Sequence, residues 1–167
     1  MKKIVLIAAL ALLFSVSLVA AQATAVVKIT WRILPFAVIS LGGDYGQSVV
    51  AVTEVPTPTA ADLARGYVEI PDAVTLRVMS NTHWTVFVQA LSPTLGTSYD
   101  GRFEWPIDSL EIGLEGRFIQ ASTQPQELVS GHNGEFTLTV DYRVRVPETG
   151  VPDGDYQAVI LYTVTTD

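Results

Sequence analysis

The chain has 167 residues, and its 17 acidic and 10 basic side chains give a net charge of −7 at neutral pH. This acidic balance argues against nucleic acids and anionic membrane surfaces as partners. The chain contains no cysteine, which excludes disulfides, thiol catalysis, iron–sulfur clusters and cysteine zinc sites.

The first residues of the chain have the pattern of a cleaved secretory signal. Lys2 and Lys3 precede an apolar run over residues 4–20, and small residues follow it over 21–23. A retained anchor is the alternative, because the run is close to the roughly 17 residues that span a bilayer. Cleavage is favoured because no positively charged cluster follows the run. We predict a signal peptide over 1–23 and one exported domain over 24–167, located in the medium, at the cell surface or in the periplasm, with no membrane span.

After the signal, apolar residues recur at every second position, which predicts β-strands. Pro35 interrupts the first run, and a proline within a strand pattern indicates an edge, a bulge or a change of sheet. The expected strands before the two closing ones cover residues 26–34, 36–41, 48–53, 66–70, 74–79 and 84–90, with one or two weaker strands within 109–120.

One short helix is predicted, in "TPTAADLARG" at residues 57–66. Thr59 is expected to cap its N-terminus, Asp62 suits its first turn, and Gly66 is expected to end it.

Two long strands close the chain. In "EFTLTVDYRVRV" (135–146) apolar side chains from Phe136 to Val146 share one face, which is expected to pack on a core. The last strand, over 155–165, has apolar residues on both faces, which indicates that both sides of its middle are covered. The two strands are predicted to form a hairpin or a Greek-key neighbour pair. The whole pattern predicts an all-β fold, an antiparallel Ig-like or Greek-key β-sandwich of about 7–9 strands.

Residues suited to catalysis are sparse. His83 and His132 lie far apart in the sequence and outside any metal-ligand spacing, so they can share a metal only if the fold brings them together. His83 is expected at a strand start and His132 in a turn. The carboxylates between residues 104 and 115 could supply a glycosidic acid–base pair, but solvated carboxylates are common on an acidic protein. We therefore predict a protein that is not an enzyme, with no cofactor and no metal.

Aromatic residues in "SYDGRFEWP" (98–106) allow two interpretations. Exposed Tyr99, Phe103 and Trp105 could stack on sugar rings. Alternatively, Phe103 and Trp105, two positions apart, face the core from a short strand. Trp31 and Trp84 are expected in the core, because each lies within a strand-like run.

Three stretches, "PTAADLARGYVEI", "LRVMSNTHWTVFVQA" and "PDGDYQAVILYTVTTD", resemble secreted bacterial and archaeal surface β-sandwiches. The similarity is to WxL-type cell-surface domains and to spore-coat-protein-U-like or fimbrial-like domains. The chain has "WTV" at 84–86 in place of a pair of Trp-x-Leu motifs. The resemblance implies a non-enzymatic surface protein. The matching residues are Ser80, Asn81, Trp84, Val86, Val88 and Ala90, and then Gly154, Tyr156, Val159, Tyr162, Thr163 and Val164.

Two functions from different classes follow. The first is a structural or adhesive surface protein whose partners are other surface proteins or copies of itself. Its N-terminal strand would complete a sheet edge through Val27, Ile29, Trp31 and Ile33. The apolar last strand needs a partner, either this strand of its own chain or that of another molecule. The second function is a carbohydrate-binding module that uses Tyr99, Phe103 and Trp105 to bind cell-wall or extracellular glycans.

Overall fold

The computed structural model describes residues 28–42, 45 and 53–166. The chain separates into two compact units, residues 1–33 and residues 34–167. The predicted signal peptide, Val27 and nearly all of the strand predicted over 48–53 lie outside the described residues. In the first unit, residues 28–33 adopt no regular secondary structure.

The second unit contains ten strands and one α-helix among its described residues. They are β1 (Ala37–Leu41), α1 (Ala60–Arg65), β2 (Tyr67–Ser80), β3 (Trp84–Ala90), β4 (Thr94–Thr97), β5 (Glu104–Pro106), β6 (Leu110–Leu114), β7 (Arg117–Gln120), β8 (Gln126–Gly131), β9 (Gly134–Arg145) and β10 (Ile160–Thr166).

The strands pair antiparallel in two main sheets and one small ribbon. The larger sheet has the order β1-β2-β9-β6-β7, the smaller has the order β10-β3-β8, and β4 pairs with β5. Apolar side chains from both sheets form the core between them, including Leu76, Val88, Ile112 and Val140. The predicted all-β antiparallel sandwich is confirmed.

The strands predicted over 66–70 and 74–79 form one long strand, β2, with an irregularity between Ile70 and Val74. Pro71 has no N–H for the ladder, and Asp72 adopts a φ of 52°. The Asp72 N–H instead donates to Asp141 Oδ1 on β9 at 2.8 Å. The interruption in the sequence pattern at residues 71–73 is therefore a bulge within one strand, and the prediction of two separate strands was wrong.

The helix forms as predicted. The Thr59 hydroxyl accepts the Asp62 N–H at 3.3 Å, and Asp62 Oδ2 accepts the Thr59 N–H at 2.8 Å, which makes a capping box. Gly66 ends the helix at a φ of 82°. Hydrogen bonds from the Thr59 hydroxyl and backbone, and then the Arg65 guanidinium, lower the pKa of Asp62 to about 2.

The two closing strands are not a hairpin or a neighbour pair, and this prediction was wrong. β9 pairs with β2 on one side and with β6 on the other, so neither of its edges is open to β10. Residues 146–159 instead carry the chain to the smaller sheet, held by bonds such as Gln157 N–H to Leu95 O at 2.6 Å. For this reason the last strand begins at Ile160, later than the predicted residue 155.

The strand predicted over 26–34 is absent from its described part, residues 28–34. Trp31 is exposed, so the expectation that it lies in the core was also wrong, whereas Trp84 is buried as predicted. The pattern also missed β4, β5 and β8, since they are short or lack clean alternation. In the described part of the chain no helix is long and apolar enough to cross a bilayer.

Candidate functional site

The candidate site is the outer edge of β10, the last strand of the smaller sheet. On its inner side β10 pairs with β3, from Ile160 opposite Ala90 to Thr166 opposite Trp84. No described strand pairs with its other side. An edge of this kind presents a row of backbone donors and acceptors that another strand can use.

The register identifies which residues offer these backbone groups. The Leu91 N–H donates to Val159 O at 2.9 Å, so Val159 and every second residue after it point their backbone groups toward β3. The residues between them therefore direct their N–H and C=O groups to the outer edge. These are Ile160, Tyr162 and Val164, whose side chains pack on the core.

The side chain of Tyr162 anchors the edge strand to the opposite sheet. Its hydroxyl lies 2.9 Å from the hydroxyl of Tyr142 on β9. Burial raises the pKa of both tyrosines. The pair therefore stays neutral and hydrogen-bonded under physiological conditions, which fixes the centre of β10 against the core.

The outer face of β10 is not covered, contrary to the prediction that both faces are. Val159 and Leu161 are exposed, as is Leu91 beside them. These side chains are exposed because no described element of the second unit packs over them. An apolar surface therefore lies beside the outer edge of β10.

The two lateral sides of the sandwich differ. On one side residues 121–125 link β7 directly to β8, and the Ala90 N–H donates across to Ser122 O at 2.8 Å. On the other side the edge strands β1 and β10 approach each other. Ala37 and Ile39 of β1 and Tyr162 and Val164 of β10 pack on one apolar cluster there. On the β1–β10 side, no described strand bridges the two sheets.

Asn81 holds the backbone that leads into β1. Its side-chain amide accepts the Phe36 N–H at 2.8 Å and donates to Leu34 O at 2.9 Å, across Pro35. The Ser80 hydroxyl adds a bond to Phe36 O at 2.8 Å. The Ser-Asn pair that carried the sequence resemblance therefore holds residues 34–36, which precede β1.

Replacing Asn81 with alanine is expected to lower the free energy of unfolding by about 1–2 kcal/mol, because two hydrogen bonds are lost. Urea denaturation measures this change, and amide hydrogen exchange at Phe36 should accelerate. The control is Asn133→Ala at another exposed turn asparagine, which should stay within about 0.5 kcal/mol of the wild type. Equal effects of the two changes would contradict a holding role for Asn81.

The described partner-strand candidates are all exposed: Ile29 by 88%, Trp31 by 86% and Ile33 by 68%. Val27 lies outside the described residues. The segment from 24 to 33 contains Lys28 and Arg32 and no acidic residue, whereas residues 34–167 carry six basic and 17 acidic side chains. The segment is thus apolar on alternate positions and opposite in charge to the rest of the chain.

The glycan-binding candidates do not form one exposed aromatic face. Tyr99 is exposed, and its hydroxyl donates to Asp155 Oδ1 at 2.9 Å. Trp105 is only 8% exposed and packs edge-on against Tyr156, as in the alternative interpretation that placed it in the core. Phe103 is half-buried beside it. Burial removes the ring faces that a sugar would need, and sugar binding by this stretch stays a prediction.

Comparisons with known proteins give little further information. No protein-family model matches the chain, and no curated protein matches it. Among solved structures, a chain from a chaperone–usher pilus, described as revealing the molecular basis of rod uncoiling, is similar to it. The match covers 87% of this chain and 97% of that chain, at 11% sequence identity and a TM-score of 0.45. A likeness at this level assigns neither a family nor a function to this chain.

Proposed function

We propose that this chain is a non-enzymatic structural subunit of an assembly outside the cytoplasm. In it, the N-terminal segment of one copy pairs with the outer edge of β10 in the next copy. The location rests on the predicted signal peptide, with residue 24 as the start of the mature chain. The single observation that carries the proposal is the open edge of β10 in a chain that also has an exposed, alternately apolar segment.

Backbone pairing supplies the first part of the interaction. Ile160, Tyr162 and Val164 direct N–H and C=O groups outward, and an added strand would satisfy them in a regular ladder. Each such hydrogen bond contributes only about 0.5–1.5 kcal/mol net. Pairing alone therefore gives weak affinity and little specificity.

Side-chain burial supplies the second part. In an extended strand Ile29, Trp31 and Ile33 point to one side, toward the apolar cluster that β1 and β10 share. Burying one isoleucine side chain contributes about 1.5–3 kcal/mol. Three such side chains together offset a substantial part of the cost of association, which is about 4–15 kcal/mol.

Charge favours the same contact. Lys28 and Arg32 lie on the opposite side of the segment from the apolar residues, so they remain in solvent when the strand is added. They would approach an acceptor whose residues 34–167 are strongly acidic. Such attraction raises the association rate and weakens as salt is added.

The proposed acceptor is the β10 edge of a neighbouring molecule, and pairing of the segment with the edge of its own chain is the alternative. Asn81 holds residues 34–36 at the end of the sandwich toward which β10 runs, since Thr166 pairs with Trp84.

Size-exclusion chromatography with light scattering on residues 24–167 and 34–167 tests the proposal. The longer chain is expected to form large, open-ended species, and the shorter one a folded monomer. A synthetic peptide of residues 24–34 should bind the shorter chain and raise its melting temperature, because a ligand that binds only the folded state stabilises it. A peptide of the same composition without the alternation is the control.

Two results would contradict the proposal. The first is that residues 24–167 have the mass of a single chain even at high concentration. The second is that residues 34–167 fail to fold. The second result would show instead that the N-terminal segment pairs within its own molecule.

A further inference from the structure

The two histidines of the chain lie together at one end of the sandwich. The centroids of the His83 and His132 rings are 5.1 Å apart, and their planes meet at 64°. They are 49 positions apart in the sequence and belong to different turns. No local pattern in the sequence places them side by side.

The sheet topology accounts for their proximity. Residues 81–83 connect β2 to β3, and residues 132–133 connect β8 to β9. Both connections cross between the two sheets. In the larger sheet Ser80, at the end of β2, pairs with Gly134, at the start of β9. In the smaller sheet Trp84, at the start of β3, pairs with Gly131, at the end of β8. Both connections therefore lie at the same end of the sandwich. They consequently run next to each other.

Trp84 fixes the backbone under the pair. Its indole N–H donates to the carbonyl oxygen of His132 at 2.6 Å. The indole also lies against Gly131, where a Cβ atom would come within 2.4 Å of the ring. One buried side chain, directly after His83 in sequence, thus holds the backbone of His132 in place. His83 is half-buried, and His132 is exposed to solvent.

We propose that His83 and His132 together bind one divalent transition-metal ion of the Zn²⁺ type. Imidazole nitrogens bind tetrahedral Zn²⁺ at about 2.0–2.1 Å, which places the centroids of two such rings about 5 Å apart. The observed centroid separation of 5.1 Å matches this arrangement. Nitrogen ligands select Zn²⁺, Cu²⁺ or Ni²⁺ over Ca²⁺ and Mg²⁺, which require oxygen ligands.

Among the described residues, the proposed site has two protein ligands, His83 and His132. The described residues include no group of three or more histidine, cysteine, aspartate or glutamate side chains that could hold a metal. In the proposed complex, water or a donor from a second molecule fills the remaining coordination positions. This site is independent of the β10 edge, and the metal binding is expected whether or not the chain assembles.

The test is calorimetric titration with ZnCl₂. The full chain, including the predicted signal peptide, is produced without an affinity tag, since a tag would add histidines. Excess Mg²⁺ is present throughout to occupy surface carboxylates. We expect saturable binding of one Zn²⁺ per chain, and His132→Ala should weaken it by about tenfold or more. His83→Ala should have the same effect, and Asn133→Ala, beside His132, should have none.

The His132→Ala variant is expected to fold like the wild type, because the His132 ring is exposed. Circular dichroism verifies each variant, and if His83→Ala misfolds, His132→Ala alone decides. The proposal is overturned if the wild type shows no saturable binding in Mg²⁺, or if His132→Ala binds Zn²⁺ as tightly as the wild type.

Discussion

Replacing Ile29, Trp31 and Ile33 together with serine is expected to abolish assembly and to leave the second unit folded. All three side chains are exposed in the single chain, so the fold does not depend on their burial there. In the assembly their burial would contribute several kcal/mol. Since each 1.4 kcal/mol corresponds to about a tenfold change in affinity, association should weaken by about a hundredfold or more. Light scattering over a concentration series measures the change.

A matched variant separates strand pairing from general apolar adhesion. Exchanging Trp31 and Arg32 keeps the composition and the net charge but moves the indole to the opposite side of the extended segment. It is expected to impair assembly, whereas Thr30→Val, on the side away from the acceptor, should not. If the exchanged variant assembles like the wild type, the alternation of the segment has no role and strand insertion is wrong.

Replacing Trp84 with alanine is expected to lower the free energy of unfolding by about 3–5 kcal/mol. Trp84 is 1% exposed and is the largest fully buried side chain of the described residues. It packs with Val78 and Val86, and its ring lies 5.2 Å from that of Phe136. The alanine variant loses these contacts and the bond to His132. A loss of this size is a large fraction of the 5–15 kcal/mol by which domains are usually stable.

Trp31→Ala is the control for this prediction, because it deletes the same side chain at an exposed position. Measured on the unassembled chain, this change should alter the free energy of unfolding by no more than about 0.5 kcal/mol. Urea denaturation followed by circular dichroism measures both variants. A cost below about 1 kcal/mol for Trp84→Ala would show that the turns at this end of the sandwich do not depend on the indole.

Local features of the chain were predictable because their physical causes lie within a few residues. The capping box of α1 needs only Thr59 and Asp62, three positions apart, and Gly66 to close the helix. The alternation in β9 and the run of β3 likewise reflect side chains that point to opposite faces at successive positions. The observed bounds of these elements agree with the predicted bounds to within a few residues.

Pairing between strands was not predictable in the same way, because it depends on which edges are already occupied. The last two strands look like a hairpin in sequence, but β2 and β6 fill both sides of β9. β8 has no clean alternation, and it forms because β3 offers it an edge. In the sequence, Asn81 was only one of the residues shared with similar proteins. The fold shows that its side chain holds residues 34–36.

The sequence by itself determined that this is an acidic, cysteine-free, all-β chain with one capped helix, and that its residues 27–33 alternate between apolar and polar. These properties follow from composition and from the two-residue period of extended backbone. Only the tertiary structure decided that no described strand pairs with the outer edge of β10 and that His83 meets His132. Both depend on contacts between residues distant in sequence, which no local pattern records.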